Sequence, residues 1–222
     1  MKKQYIIALV VIVLLVIVVA TLFGKLRKRE TLSNDEVSKL KQVSKNATAT
    51  IDITDKSTLS QLWEEHVFLT REVLVAEFNN DSTLQSKVDA LLKNQEDIGN
   101  YLEKFYSGSS AIIIPLLKEH ITGAKDILDD LKYKRISRTV SDINKWYNNG
   151  DQVSEAFKSI NPDWDLKHHF NKHLEILEQA VLAEFFGFNK TSINIYNKKV
   201  VPQAQEMADI IYQGLVNDFN NK

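Results

Sequence analysis

The sequence contains no cysteine, only 3 prolines and 7 glycines among 222 residues, and no excess of either charge. The lack of cysteine excludes disulfides, thiolate zinc sites, iron–sulfur clusters and cysteine nucleophiles. Because hairpin turns and phosphate-binding loops depend on glycine and proline, their scarcity favours an all-α fold. The 28 Lys and Arg residues nearly cancel the 29 Asp and Glu residues, so we expect no nucleic-acid partner.

Signature motifs of several enzyme classes are also missing. The chain has no Gly-x-Ser-x-Gly, no Gly-x-x-x-x-Gly-Lys-Ser/Thr and no Gly-x-Gly-x-x-Gly string. Serine hydrolases, P-loop nucleotide-binding proteins and dinucleotide-binding enzymes therefore lose their usual signatures. We expect a protein that is not an enzyme.

One long apolar run lies near the N-terminus. Residues 5–23 are dominated by Ile, Leu and Val, and no side chain from Gln4 to Gly24 is charged. At about 1.5 Å per residue, a helix of this length crosses most of a roughly 30 Å hydrocarbon layer. A basic cluster follows in place of a small-residue cleavage site, so the segment is expected to stay attached. The sequence predicts a single-pass transmembrane anchor over residues 1–29, which contacts the membrane through residues 5–23.

The remaining chain divides into a tether and one helical domain. Basic residues flank the apolar run on both sides, which leaves open the side of the membrane that this part occupies. Residues 30–57 are polar and mixed in charge, which is typical of a tether. Apolar residues recur every three or four positions after residue 58, and this period predicts a bundle of about six helices over residues 58–222.

Three histidines recur within this domain at nearly constant spacing. His66, His120 and His173 lie 54 and 53 residues apart. The strings Ala76-Glu-Phe78 and Ala183-Glu-Phe185 follow the first and third histidines at the same distance. The pattern predicts three helical-hairpin repeats, at residues 58–107, 110–160 and 163–219. Chance recurrence within an ordinary helical bundle is the alternative.

Histidines on the apolar stripes of three helices support three interpretations. The favoured interpretation is a structural polar core, in which each imidazole is hydrogen-bonded to an Asp or Asn on a neighbouring helix. The second is a divalent metal site, because helical bundles build such sites from histidines and carboxylates on facing helices. The third is a pocket for a ligand other than a metal. The candidate metal ligands are His66, His120, His173, Glu96 and Glu206.

Several strings in residues 58–218 resemble a family of small, uncharacterised bacterial helical proteins. They are Leu62-Trp-Glu-Glu-His-Val67 with Thr70-Arg71, Leu91-Leu-Lys-Asn-Gln-Glu-Asp-Ile-Gly99, Leu116-Leu-Lys-Glu-His-Ile121, Trp146-Tyr-Asn-Asn-Gly-Asp151, Asn161-Pro-Asp-Trp164, His173-Leu174 and Met207-Ala-Asp209. Members of this family often bear enzyme names such as acetylglutamate kinase or glycosyltransferase. The resemblance implies an all-helical domain without an established activity. Those enzyme names are not carried over, because such enzymes need an α/β nucleotide site that this chain lacks.

The chain departs from that family at two places. Family members often have a further histidine where this chain has Gln203, which weakens the metal interpretation. The N-terminal span is also untypical of the family, and with the Asn-, Lys- and Ile-rich composition it suggests an AT-rich genome, such as that of a large DNA virus. We expect a membrane-anchored helical bundle that acts as a binding, sensing or structural module, with a protein partner or oligomer left unspecified. The alternative is a bundle that binds a metal or small ligand in its core.

Overall fold

The computed structural model describes residues 31–220. In this range the chain is helical apart from two strands of two residues each, which confirms the predicted all-α class. The predicted transmembrane anchor, residues 1–29, lies outside the described residues. Between residues 31 and 220 no helix is both long and apolar enough to cross a lipid bilayer.

The long helices form three antiparallel pairs along the chain, and the short elements lie between or before them. The helices are α1 (Asn34–Leu40), α2 (Ile53–Asn79), α3 (Leu84–Glu103), α4 (Ser110–Lys132), α5 (Ile136–Ile160), α6 (Lys167–Phe185), α7 (Asn189–Ile195) and α8 (Val201–Asn220), with a π-helical turn at Tyr196–Val200. The strands β1 (Ser44–Lys45) and β2 (Tyr106–Ser107) are antiparallel. We refer to α2–α3, α4–α5 and α6–α8 as the first, second and third hairpins.

The three hairpins pack in cyclic order around a common centre. Their first helices, α2, α4 and α6, all contact one another. Each second helix lies between two first helices: α3 contacts α2 and α4, α5 contacts α4 and α6, and α8 contacts α6 and α2. Because α8 packs along α2, the last hairpin closes against the first. The inner faces of α2, α4 and α6 therefore share one core.

Helix α2 begins five residues before the predicted start of the domain. The Asp52 side chain accepts a hydrogen bond from the Thr54 backbone N–H at 2.7 Å, and the Asp55 carboxylate accepts from the Asp52 N–H at 2.8 Å. This reciprocal capping box stabilises the first turn. The apolar periodicity could not predict this turn, because Ile53 is 74% exposed and buries nothing.

The predicted polar tether over residues 30–57 is, from residue 31 onward, packed against the bundle. Leu32 and Ile51 are buried, and α1 contacts α4 and α5. Strand β1 pairs with β2, and the Lys45 ammonium forms an ion pair with Asp218 at 2.6 Å. The polar composition of this segment misled the prediction, because a few apolar side chains and one strand pair suffice to hold it.

A tight contact between α8 and the loop before α6 stabilises one end of the bundle. The indole of Trp164 is completely buried, and its Nε1 donates a hydrogen bond to the Ile211 carbonyl at 2.9 Å. The Asn161 side chain donates to the Gly214 carbonyl at 3.0 Å. A Cβ atom added at Gly214 would overlap the Trp164 indole, so this close approach requires glycine.

We predict that Gly214→Ala lowers the free energy of unfolding by about 1–3 kcal/mol, because the added methyl displaces a packed indole. Gly123→Ala is the matched control, since its Cβ would lie at an ordinary 3.4 Å from Trp146. The control should be neutral or gain up to about 1 kcal/mol from helix propensity. Urea denaturation followed by circular dichroism measures both changes. Equal stability of the two variants would contradict the close approach of α8 to Trp164.

Candidate functional site

One histidine from each central helix reaches the middle of the bundle. His66 on α2, His120 on α4 and His173 on α6 are only 6%, 4% and 4% exposed. The ring centres of His66 and His173 lie 6.1 Å apart. The ring of His120 stacks on the indole of Trp146, with 5.1 Å between the ring centres. The structure therefore brings together the three histidines that recur in the sequence.

The three imidazoles line a cavity of about 60 Å³. Since roughly 10–15 Å³ of such space holds one water molecule, the cavity has room for a molecule of several non-hydrogen atoms. Most of the remaining wall is aliphatic, with residues from all three hairpins: Val73, Leu74, Val88, Leu91, Ile121, Ala124, Ile127, Leu128, Leu131, Ile143, Leu177, Val181 and Leu182. Thr70, Lys125, Trp146, Glu178 and Tyr196 complete it.

Each imidazole is held at Nδ1 by an amide side chain from the second helix of its own hairpin. The pairs and the distances from Nδ1 to the amide are His66–Gln95 (3.1 Å), His120–Asn149 (2.9 Å) and His173–Gln203 (2.8 Å). The partners are 29, 29 and 30 residues apart in sequence. Among the described residues these rings make no other hydrogen bond, so Nε2 is the polar atom that each ring leaves for the cavity.

The amides are themselves oriented by a backbone carbonyl one helical turn before each histidine. The amide nitrogens donate as follows: Asn94 Nδ2 to Leu62 O (3.0 Å), Asn149 Nδ2 to Leu116 O (3.1 Å) and Gln203 Nε2 to His169 O (3.0 Å). In the second and third hairpins one amide contacts both the carbonyl and the imidazole. In the first hairpin two adjacent amides divide these contacts, since Asn94 takes the carbonyl and Gln95 takes the imidazole.

Burial keeps all three imidazoles neutral near pH 7. It lowers the pKa of His66 well below its ordinary value, and the nearby rings of His173 and His120 lower it further. Burial lowers the pKa of His120 to about 4, against a smaller opposing effect of the hydrogen bond to Asn149. Burial also lowers the pKa of His173. Charging any one ring would disfavour charge on the other two.

The two carboxylates predicted as metal ligands lie outside the cavity. Glu96 is paired with Lys118 on the surface at 2.5 Å. The Glu206 side chain is 62% exposed and lies 3.7 Å from the His169 ring. Within residues 31–220 no group of three or more His, Asp or Glu side chains is arranged to hold a metal ion. The spacing placed these carboxylates on helices of the correct hairpins but on their outer faces.

A buried carboxylate follows each histidine by 10 or 11 residues and is paired with a cation. These ion pairs are Glu77 with Lys125 (2.9 Å) and Lys132 (2.7 Å), Asp130 with Arg135 (2.6 Å), and Glu184 with Arg71 (3.6 Å). Lys125 is the cation in the cavity wall, and it also pairs with Asp129 at 2.7 Å. Its charge is therefore neutralised outside the cavity.

Tyr196 distinguishes the third hairpin from the other two. It begins the π-helical turn, its ring lines the cavity, and it is 2% exposed. A π-helical turn closes its hydrogen bond over one more residue than an α-helical turn, and π turns often occur at functional sites. The turn lies between His173 and Gln203, whose separation is one residue longer than that of the equivalent pairs. The π-helical turn thus accommodates the extra residue, and the side chains of His173 and Gln203 still meet.

The sequence predicts an Asp or Asn partner for each imidazole, and His120 has one in Asn149, whereas His66 and His173 have glutamines. Gln95 and Asn149 lie in two of the strings that carry the family resemblance, and Gln203 is the position where the chain departs from that family, but the sequence alone assigns none of them a contact with a histidine. Nothing in a single sequence separates Gln95 from its polar neighbours, because their burial depends on how the hairpins pack. Comparison with models of protein families, with curated proteins and with solved structures finds no match to this chain. The site is therefore defined by its geometry alone.

We predict that the protein loses stability as the pH falls from about 6.5 toward 4. In this interval the three histidines bind protons in the unfolded chain but stay neutral in the folded protein, because burial lowers their pKa values. The stabilisation is complete above pH 6.5, and His120 alone accounts for a loss of about 3 kcal/mol once the pH is below 4. Urea denaturation at a series of pH values measures the loss.

The variant His120→Leu provides the comparison, since it replaces one titrating ring by an apolar side chain of similar volume. Its stability should depend less steeply on pH over the same interval. A slope equal to that of the unaltered protein would show that His120 is not a neutral, buried ring.

Proposed function

We propose that the protein is a membrane-anchored helical bundle that binds a small ligand in its histidine-lined cavity. The observation that carries the proposal is the convergence of three imidazoles from three hairpins on one cavity. A core that only needed to pack would contain aliphatic side chains here, because buried polar atoms cost free energy unless they are hydrogen-bonded. An apolar cavity with a few convergent polar atoms is the common form of a small-molecule site.

A divalent metal ion is the second candidate ligand. His120 and His173 each hold an amide oxygen at Nδ1, and metal-bound histidines are usually oriented by such a contact. The absence of a metal-binding arrangement among residues 31–220 weighs against this candidate. We therefore place it second to a ligand other than a metal.

We also propose that residues 5–23 attach this bundle to a membrane and that its hairpins are copies of one unit. The anchor is supported by the uncharged, aliphatic composition of the segment. The common origin is supported by the equivalent histidine, amide and carbonyl contacts of the hairpins. The proposed bundle also agrees with the resemblance of residues 58–218 to a family of small bacterial helical proteins, a family without an established activity.

Ligand binding can be tested with 2-chloropropane, a small apolar probe that matches the aliphatic wall. In the full chain in detergent micelles, we predict saturable shifts of the Val73 and Leu91 methyl resonances, since both side chains line the cavity. Ala124→Leu fills the cavity and should abolish these shifts. Ala90→Leu, at an exposed position on α3, should leave them unchanged and controls for partition of the probe into micelles.

Zinc chloride in a parallel experiment separates the two candidate ligands. A bound metal must raise the melting temperature, because a ligand of the native state stabilises it. No methyl shift with 2-chloropropane or with 2-propanol, its hydroxyl analogue, and no stabilisation by zinc would together remove the proposed function.

The anchor predicts a change in fractionation. Deletion of residues 5–23 should move the protein from the carbonate-resistant membrane fraction to the soluble fraction, because the apolar segment is lost. Replacement of the same segment by an unrelated transmembrane helix should restore membrane attachment. A deletion variant that stays in the membrane fraction would overturn the anchor.

A further inference from the structure

The amide partners determine which nitrogen carries the proton in two of the imidazoles. Asn149 Nδ2 donates to the Leu116 carbonyl, so its Oδ1 is the atom that faces His120. Gln203 Nε2 donates to the His169 carbonyl, and its Oε1 faces His173 in the same way. Because an amide oxygen can only accept, the Nδ1 atoms of both histidines carry the proton. Their Nε2 atoms therefore present lone pairs.

The first hairpin has the opposite polarity. Gln95 Nε2 faces His66 Nδ1, and it also lies 2.9 Å from the Leu91 carbonyl and 3.0 Å from Asn94 Oδ1. A flipped amide would place the Gln95 oxygen against these two oxygens. Asn94 is fixed in turn, because its Nδ2 donates to the Leu62 carbonyl. An amide NH₂ group can only donate, so His66 Nδ1 accepts and its Nε2 carries the proton.

The imidazoles therefore offer the cavity one N–H donor, from His66, and two acceptors, from His120 and His173. The Tyr196 hydroxyl and the Glu178 carboxylate belong to the same wall. A hydroxyl group matches this set, since it accepts from one partner while it donates to another. A ligand carboxylate cannot donate a hydrogen bond, so it would leave the Nε2 lone pairs of His120 and His173 without a donor. A metal ion would meet the Nε2–H of His66. To free the Nε2 lone pair, the proton would have to move to Nδ1, where it would face the NH₂ group of Gln95.

The size and the charge of the site restrict the ligand further. The cavity holds about 60 Å³ and its wall is mostly aliphatic. The one lysine of the wall, Lys125, is paired with Glu77 and Asp129. An anionic ligand would find no free countercharge on Lys125 and would lose its hydration, which is costly in an apolar interior.

We infer that the ligand is a small neutral alcohol, whose hydroxyl accepts from His66 Nε2–H and donates to Nε2 of His120 or His173. This inference rests on the proposed function and narrows it to one ligand class. The aliphatic body of the alcohol packs against the leucine and valine side chains of the wall.

The tautomers can be measured in the unaltered full chain by long-range ¹H–¹⁵N correlation of the histidine side chains. The expected result is Nε2–H for His66 and Nδ1–H for His120 and His173. The same tautomer on all three rings would overturn the inference. This measurement needs no variant and is therefore independent of any effect of substitution on folding.

The ligand class is tested with 2-propanol against 2-chloropropane, which have the same shape but differ in the hydroxyl. Methyl shifts of Val73 and Leu91 should give an affinity at least about tenfold higher for 2-propanol, because a site built for a hydroxyl rejects the analogue that lacks it. Equal affinities would reject the alcohol and leave the proposed function standing. Shifts with neither probe would reject both.

Gln95→Glu reverses the polarity of the first hairpin. Its carboxylate accepts from His66 Nδ1–H, so the proton leaves Nε2 and the N–H donor that His66 offers the cavity is lost. Binding of 2-propanol should weaken about tenfold, and stabilisation by zinc should appear. Gln85→Glu, at an exposed position on the same helix, adds the same charge and should change neither. Unchanged 2-propanol binding in Gln95→Glu, with the His66 tautomer reversed, would overturn the assigned role of His66.

Discussion

The contact between each central imidazole and the amide on the second helix of its hairpin is the interaction on which the site depends. It joins the two helices of a hairpin inside the core, where an unpaired polar atom would be costly. It also sets the direction of the ring, because the amide is itself held: Asn149 and Gln203 contact a carbonyl on the histidine's helix, and Gln95 contacts Leu91 O and Asn94 Oδ1. Three such contacts around one centre leave three nitrogen atoms facing a shared space. The cavity is thus a product of hairpin geometry.

Charge is kept at the periphery of this centre. The buried carboxylates Glu77, Asp130 and Glu184 each lie 10 or 11 residues beyond a histidine and are paired with lysine or arginine. The hydrogen bonds and charges of Lys132 and Lys125 outweigh burial and lower the pKa of Glu77. Each hairpin therefore has a neutral polar group toward the centre and an ion pair farther along. Glu178, in the wall of the cavity, is the carboxylate that lies nearer to the centre.

The sequence predicted the helical class and placed His66, His120 and His173 on the apolar stripes of three helices, because both follow from periodicity along the chain. It did not predict the docking of residues 31–52, since Leu32 and Ile51 are isolated apolar residues in a polar segment. It placed Glu96 and Glu206 with the histidines, because spacing assigns a residue to a helix but not to the inner face of that helix. The opposite polarity of Gln95 could be recognised only from several contacts taken together, which no spacing expresses.

The packing of α8 along α2 has a consequence for how the chain is made. Helix α2 leaves the ribosome long before α8, so the flank of α2 that α8 covers stays exposed until α8 has been synthesised. Contacts between distant parts of a chain form slowly, and an exposed apolar flank favours aggregation in the meantime. Folding of the nascent chain therefore depends on α8, and shielding of α2 by a chaperone would matter most just before α8 emerges.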